Sequence, residues 1–244
     1  MSKPDIIITR TQFGADALAH RLEGLGYNPV VLPLLEAQAT GAPAPLEKPN
    51  GIIVTSAQIF RYLPSGFARA VPVHAVGDAT AAAARAAGFE DVSASHGDVK
   101  ALCADVRMQK PTGTWLYIGP EEPAAGTAEA LSSIGCKIMN WAVYRTVPAR
   151  YDNAALATYL EGHKPCYVLL HSAKAAAIFA NAIQQYGPDA RLSQIKVLCL
   201  SKAVLECLAN IHFGGSYVAH TPDENALVTL LQTECQNVRT NDER

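Results

Sequence analysis

Short apolar runs of strand length alternate along the chain with longer stretches rich in Ala and Leu. The runs IIIT (6–9), PVVLP (29–33), GIIVT (51–55), VHAV (73–76), TWLYI (114–118), YVLL (167–170) and VLCL (197–200) predict strands. Helices are predicted to begin near Gly14, Ala57, Ala79, Val99, Ala124, Asn153, Lys174, Ala203 and Glu224. Strand and helix in regular alternation are the pattern of α/β units built around parallel sheets. Each predicted strand ends in a small or polar residue, so every turn into a helix begins with hydrogen-bonding groups.

A weak internal repeat divides this pattern in two. One block reads GIIVTSAQIF, VHAVGDATAAAARAAGFEDV and SHGDVKALCADV, and the other reads YVLLHSAKAAAIF, VLCLSKAVLECLANIHFGGSYV and TPDENALVTLL. In both, a strand delivers a Ser to a helix start (Ser56, Ser172), and a second strand delivers Gly77 or Ser201 to another. An acidic-led helix follows. Two similar α/β lobes are expected.

The Pro/Ala/Gly-rich stretch TGAPAPLEKP (40–49) and the aromatic run WAVYRTVP (141–148) have the composition of linkers on either side of the first block. If they flank an inserted domain, the N-terminal strand and helix belong with the C-terminal block. The expected boundaries are a discontinuous domain of residues 1–35 plus 149–244, and an inserted domain of residues 36–148 that includes the linkers.

Composition narrows the possible functions. Apolar residues make up 49% and charged residues 17% of the chain, a balance that packs a core and argues against disorder. The net charge is −2, with no basic run of the kind a nucleic-acid backbone requires. No stretch approaches the ~18 apolar residues of a membrane span, and the N-terminal residues lack the pattern of a signal peptide, so a cytoplasmic protein is expected. The six cysteines (103, 136, 166, 199, 207, 235) form no C-x-x-C pair and no zinc-ligand spacing, which predicts buried thiols and no metal. Neither a dinucleotide fingerprint, a P-loop nor a G-x-S-x-G elbow occurs, so NAD, ATP and nucleophilic-serine chemistry are disfavoured.

What remains is the set of strand ends. In open α/β sheets ligands bind beyond the carboxyl ends of the strands, where helix N-termini present free amides and the positive end of their dipoles. Here those ends are Thr9-Arg10-Thr11, Thr55-Ser56, Gly77-Asp78-Ala79-Thr80, His171-Ser172 and Ser201-Lys202, a set that favours an anionic ligand. Taken singly, each Ser or Thr reads equally as a helix cap. His171 stands where an imidazole suits proton transfer, or serves as a structural hydrogen-bonder. Tyr144, in the 141–148 run, is a phenol placed to give a proton to a leaving hydroxyl, or an aromatic packed at a hinge.

In order along the chain, IIITR (6–10), IVTSAQ (53–58), HAVGDATAAAARAAGF (74–89), WAVYRTVP (141–148), LLHSAKA (169–175), LSKAVLECLA (200–209) and TPDENALVTLL (221–231) resemble the uroporphyrinogen-III synthase family over nearly the whole chain. The resemblance implies two α/β domains joined by a two-stranded connection, with the active site in the cleft between them. It also implies conversion of hydroxymethylbilane to uroporphyrinogen III and water without cofactor or metal. The enzyme would be a cyclising hydro-lyase of haem biosynthesis. By motif, Tyr144 is the implied acid, Thr80 a polar contact, and Arg10, Thr55, Ser56, Gly77, His171, Ser172 and Ser201 the groups that hold substrate. A monomer is expected, receiving its bilane directly from hydroxymethylbilane synthase. The chain departs from the family pattern at Gly119-Pro120, His171-Ser172 and Ser201-Lys202-Ala203. A non-catalytic two-lobed module that clasps an anionic metabolite is the alternative reading.

Overall fold

The computed structural model describes residues 4–150, 156, 158, 166–186 and 191–242. The chain divides into two compact units, residues 1–36 with 147–244, and residues 37–146. The helix predicted near Asn153 starts outside the described residues.

The first unit holds a sheet of five strands in the order β11-β10-β9-β1-β2. They are β1 (Asp5–Ile8), β2 (Asn28–Val31), β9 (Cys166–Leu170), β10 (Ile195–Cys199) and β11 (Gly215–Val218), and every neighbouring pair is parallel. Alternate residues of each central strand serve opposite faces, and both faces are covered. Ile7, Val168, Leu170 and Val197 pack with Phe179 and Ile183 of helix α5 (Ala173–Tyr186) and with Val204 of the short α6 (Lys202–Glu206). Ile6, Ile8, Leu169 and Leu198 pack with Leu18 and Leu22 of α1 (Gln12–Gly24) and with Leu227 and Leu231 of α7 (Glu224–Asp242). Burial on both faces is why these strands read as continuous apolar runs.

The second unit repeats the plan with six strands in the order β3-β8-β7-β4-β5-β6. These are β3 (Leu35–Ala39), β4 (Gly51–Val54), β5 (Val73–Val76), β6 (Val92–Ser95), β7 (Thr114–Pro120) and β8 (Lys137–Pro148), and the pairs from β8 through β6 are parallel. One face buries Ile52, Val54, Leu116 and Ile118 against Ile59 and against Ala81 and Ala84 of α2 (Gly77–Ala86). The other buries Ile53, Trp115 and Tyr117 against Leu102, Cys103 and Val106 of α3 (Val99–Met108) and Leu131 of α4 (Thr127–Ser132).

The 141–148 run is the second half of β8, and Trp141, Val143 and Tyr144 are part of the second unit's core. The chain passes from one unit to the other within β3 and returns within β8, which is its neighbour in the sheet. The helix predicted from Ala57 is a six-residue 3₁₀ segment, Ala57–Tyr62. Pro64 disfavours helical backbone at the residue before it, and Leu63 is extended with ψ 132°.

Candidate functional site

In the second unit the predicted residues gather at adjacent strand ends. Register pairs Val54 with Ala75 on one side and with Ile118 on the other, so Thr55 stands beside Val76 and Gly119. Helix α2 starts directly off β5 with no intervening loop. This abrupt turn needs Gly77 at φ +73°, in the left-handed region that glycine enters without strain, and the space where its Cβ would project is open. No side chain caps α2. Its first-turn amides therefore keep their hydrogen-bonding capacity at the positive end of the helix dipole. Thr80 lies one turn in, buried at 6% exposure. Ser56 acts as a cap, its Oγ accepting from the Gln58 amide at 3.2 Å.

Tyr117 and Gly119 belong to the same edge; Gly119 was noted in the sequence only as a departure from the family pattern, and Tyr117 was not singled out. The Tyr117 ring leans along β7 over Gly119, where an added Cβ would lie 2.6 Å from ring atoms. This brings the Tyr117 hydroxyl to 3.3 Å from Thr55 Oγ1. The signal that could have found it is the Tyr-x-Gly spacing of YIG, because residues two apart on a strand share a face.

Tyr144 lies on β8 at 7% exposure, packed with Ile52, Val54 and Leu116 on the face of the sheet opposite Tyr117. Its ring stacks on Tyr62, centroids 5.4 Å apart and planes 22° apart, and Tyr62 is held by donating to the Ala37 carbonyl at 3.1 Å. The Tyr144 carbonyl accepts from the Glu121 amide at 2.8 Å, which anchors the segment after β7.

In the first unit Arg10, His171, Ser172 and Ser201 also occupy strand ends, but they are differently engaged. The Arg10 guanidinium pairs with Glu224 at the start of α7, and Arg21 stands 3.9 Å from the same carboxylate. Arg10 reaches Glu224 by lying flat on α1 at Gly14, where an added Cβ would come within 2.3 Å of the guanidinium. The sequence-predicted ligand Arg10 is thus already held by a carboxylate of the protein. Ser172 caps α5, its Oγ accepting from the Ala175 amide at 3.2 Å. Ser201 begins α6 without using its side chain as a cap.

His171 is the most unusual group of this edge. Both ring nitrogens are buried, and neither finds a hydrogen-bond partner of ordinary geometry among the described residues. Burial, and then the neighbouring Arg10 charge, push its pKa down to about 3. The Leu169 carbonyl opposes this more weakly, and it is already the acceptor of Thr9 Oγ1 at 2.7 Å. His171 is therefore a neutral imidazole at any ordinary pH.

The remaining reactive groups are kept quiet. Burial raises the thiols of Cys103 to about 11 and of Cys166 and Cys199 to about 12, so they stay protonated and are poor nucleophiles. Among the described residues no three His, Cys, Asp or Glu side chains are grouped to hold a metal ion. Nor is any described helix long and apolar enough to cross a membrane. What the strand ends offer is hydroxyls and helix amides, groups that grip an anionic ligand and fix its conformation.

The family model described as uroporphyrinogen-III synthase HemD matches residues 16–229. The fold is similar to the crystal structure of uroporphyrinogen-III synthetase from Helicobacter pylori 26695, with TM-score 0.60 at 15% identity over 94% of this chain and 99% of that one. A mutant uroporphyrinogen III synthase from the extremely thermophilic bacterium Thermus thermophilus aligns over 96% of this chain and 99% of its own at 17% identity, with TM-score 0.48. No curated protein matches the chain. Two largely parallel α/β sheets, strand ends furnished with hydroxyls and helix amides, and a family match spanning both units converge: the chain belongs to the uroporphyrinogen-III synthase family.

Proposed function

We propose that this protein closes the linear tetrapyrrole hydroxymethylbilane to uroporphyrinogen III, with loss of water and inversion of ring D. The observation that carries this reading is the family match across residues 16–229, which takes in both units. The chemistry begins with departure of the ring A hydroxyl to leave an azafulvene. Ring D attacks it through its already substituted α-carbon, giving a spiro intermediate, and fragmentation and reclosure complete the inversion. Unassisted closure gives the uninverted type I isomer, so the protein's task is to steer ring D into the conformer that reacts at the hindered carbon.

In this reading Tyr144 is the acid for the departing hydroxyl, positioned by its stack on Tyr62. The α2 amides that follow Gly77, with Thr55, Ser56 and Thr80, hold acetate and propionate carboxylates. Ser172 and Ser201 do the same in the first unit, while His171, both of whose ring nitrogens are buried, does not contact the ligand. Arg10 joins them only by releasing Glu224. A bare helix terminus suits this work because it binds a carboxylate without placing a nucleophilic side chain beside the electrophilic azafulvene.

The test is to give the purified protein freshly made hydroxymethylbilane, oxidise the products and separate the porphyrin isomers by chromatography. Type III in excess of the protein-free control supports the reading. Type I alone from folded protein would leave the chain as a binding module for the bilane.

A further inference from the structure

Tyr117 carries a hydroxyl in the second unit's core at 3% exposure. Burial raises its pKa, opposed by the hydrogen bond with Thr55, so the phenol keeps its proton. A buried O–H requires an acceptor, and among the described residues its partner is Thr55 Oγ1 at 3.3 Å. The direction of this bond follows from what each group has left. If Thr55 donated, the Tyr117 proton would be buried without an acceptor. If Tyr117 donates, the buried group is satisfied, and the Thr55 proton turns away from it.

Thr55 is the half-buried partner of the pair and stands on the strand-end edge beside Val76, where uncapped α2 begins. A hydroxyl that accepts one hydrogen bond donates the next more strongly, by roughly 10–30% in a short chain. Gly119 makes the arrangement possible, since any larger residue would meet the Tyr117 ring and hydroxyl at 2.6 Å.

We propose that Tyr117 is a positioning residue: donating to Thr55 across bare Gly119, it fixes the Thr55 hydroxyl as a hydrogen-bond donor to a substrate carboxylate. This rests on the synthase reading, which supplies the carboxylate. Its chemistry is a relay of two hydroxyls in which no proton is transferred and only orientation is passed on.

The experiment measures KM, kcat and the type III to type I ratio with hydroxymethylbilane for the wild type, Tyr117→Phe, Thr55→Val and the double variant. Phenylalanine keeps the ring over Gly119, so its thermal melt should match wild type. Each single change should raise KM about fivefold, the value of one ordinary hydrogen bond, with kcat little altered. The double variant should be no worse than Thr55→Val, because Tyr117 acts only through Thr55, and Thr55→Ser should retain wild-type KM. An unchanged KM in Tyr117→Phe, or a double variant showing the product of the two single effects, overturns the proposal. Gly119→Ala, which displaces the ring but keeps the hydroxyl, should raise KM as Tyr117→Phe does, and normal KM in that variant would also overturn it. Wild type that yields type I alone sinks the synthase reading and this inference together, whereas type III from a fully normal Tyr117→Phe sinks this inference only.

Discussion

His171→Leu should make the protein more resistant to acid, by an amount the structure sets. The imidazole's ordinary pKa of 6.5 falls to about 3 in the folded chain, first because of burial and then because of Arg10. Between those two values the unfolded chain takes up a proton that the folded chain refuses. The His171 contribution is therefore fully present above about 6.5 and is lost as pH falls towards 3. At roughly 1.4 kcal/mol per pH unit, lowering the pH to about 5 removes on the order of 2 kcal/mol. Leucine has no proton to accept, so the variant escapes this loss. It also removes two buried ring nitrogens that find no partner of ordinary geometry among the described residues, so it should be no less stable than wild type at about pH 8. The assay is equilibrium urea denaturation of both proteins at the two pH values. All other titrating groups are common to both and cancel in the comparison, leaving a stability gap that should widen by about 2 kcal/mol at the lower pH. A constant gap would mean that His171 titrates as a solvated histidine, and the description of this strand end would be wrong.

Other outcomes follow from the same geometry. Gly77→Ala meets no atom within 4 Å, so its cost is that of left-handed backbone, about 1–2 kcal/mol, and calorimetry should show a lower Tm. Gly77→Asn, which tolerates that backbone better, should lose less than Gly77→Ala, and equal losses would contradict the argument. Asp98→Ala removes the α3 cap that accepts from the Lys100 and Ala101 amides, and should cost about 1 kcal/mol in chemical denaturation, with Asp98→Asn close to wild type. Tyr144→Phe keeps the stack on Tyr62 and should fold normally while turnover falls about a hundredfold or more, and near wild-type rates would remove Tyr144 from the mechanism. Thr80→Ala should do less harm than Tyr144→Phe, because α2 offers main-chain amides that the substitution leaves in place.

The strands that could be read from the sequence are those whose physics is local. Ile6 to Ile8, Ile52 to Val54 and Val168 to Leu170 are buried on both faces, so their apolar runs are unbroken. Strands β3, β6 and β11 lie at sheet edges, where half the pairing and much of the burial are absent, and LEAQA, VSAS and GSYV carry no comparable run; β2, also at an edge, was legible because it keeps the apolar run of PVVLP. β8 showed only its aromatic half, because Lys137 and Asn140 are exposed and dilute the pattern of the rest. Among the site residues, Gly77 was legible because a strand passing straight into a helix calls for a residue that tolerates positive φ. The engagement of Arg10 was not legible, since Glu224 is 214 residues away in sequence and only the assembled sheet brings them together. Tyr117 was hidden for the opposite reason. It reads as one more apolar position of TWLYI, and only the missing Cβ at Gly119 lets its hydroxyl reach the edge.

Inversion of ring D during closure breaks one carbon–carbon bond and makes another, and that exchange can be observed. The measurement is carbon NMR of product formed from hydroxymethylbilane labelled with ¹³C at the bridge between rings C and D and at the ring D carbon to which it is bonded. Inversion by fragmentation and reclosure breaks that bond, so the one-bond coupling between the two labels should disappear from the enzymatic product. Product that retains the coupling was closed without inversion, and that result would contradict the proposed reaction.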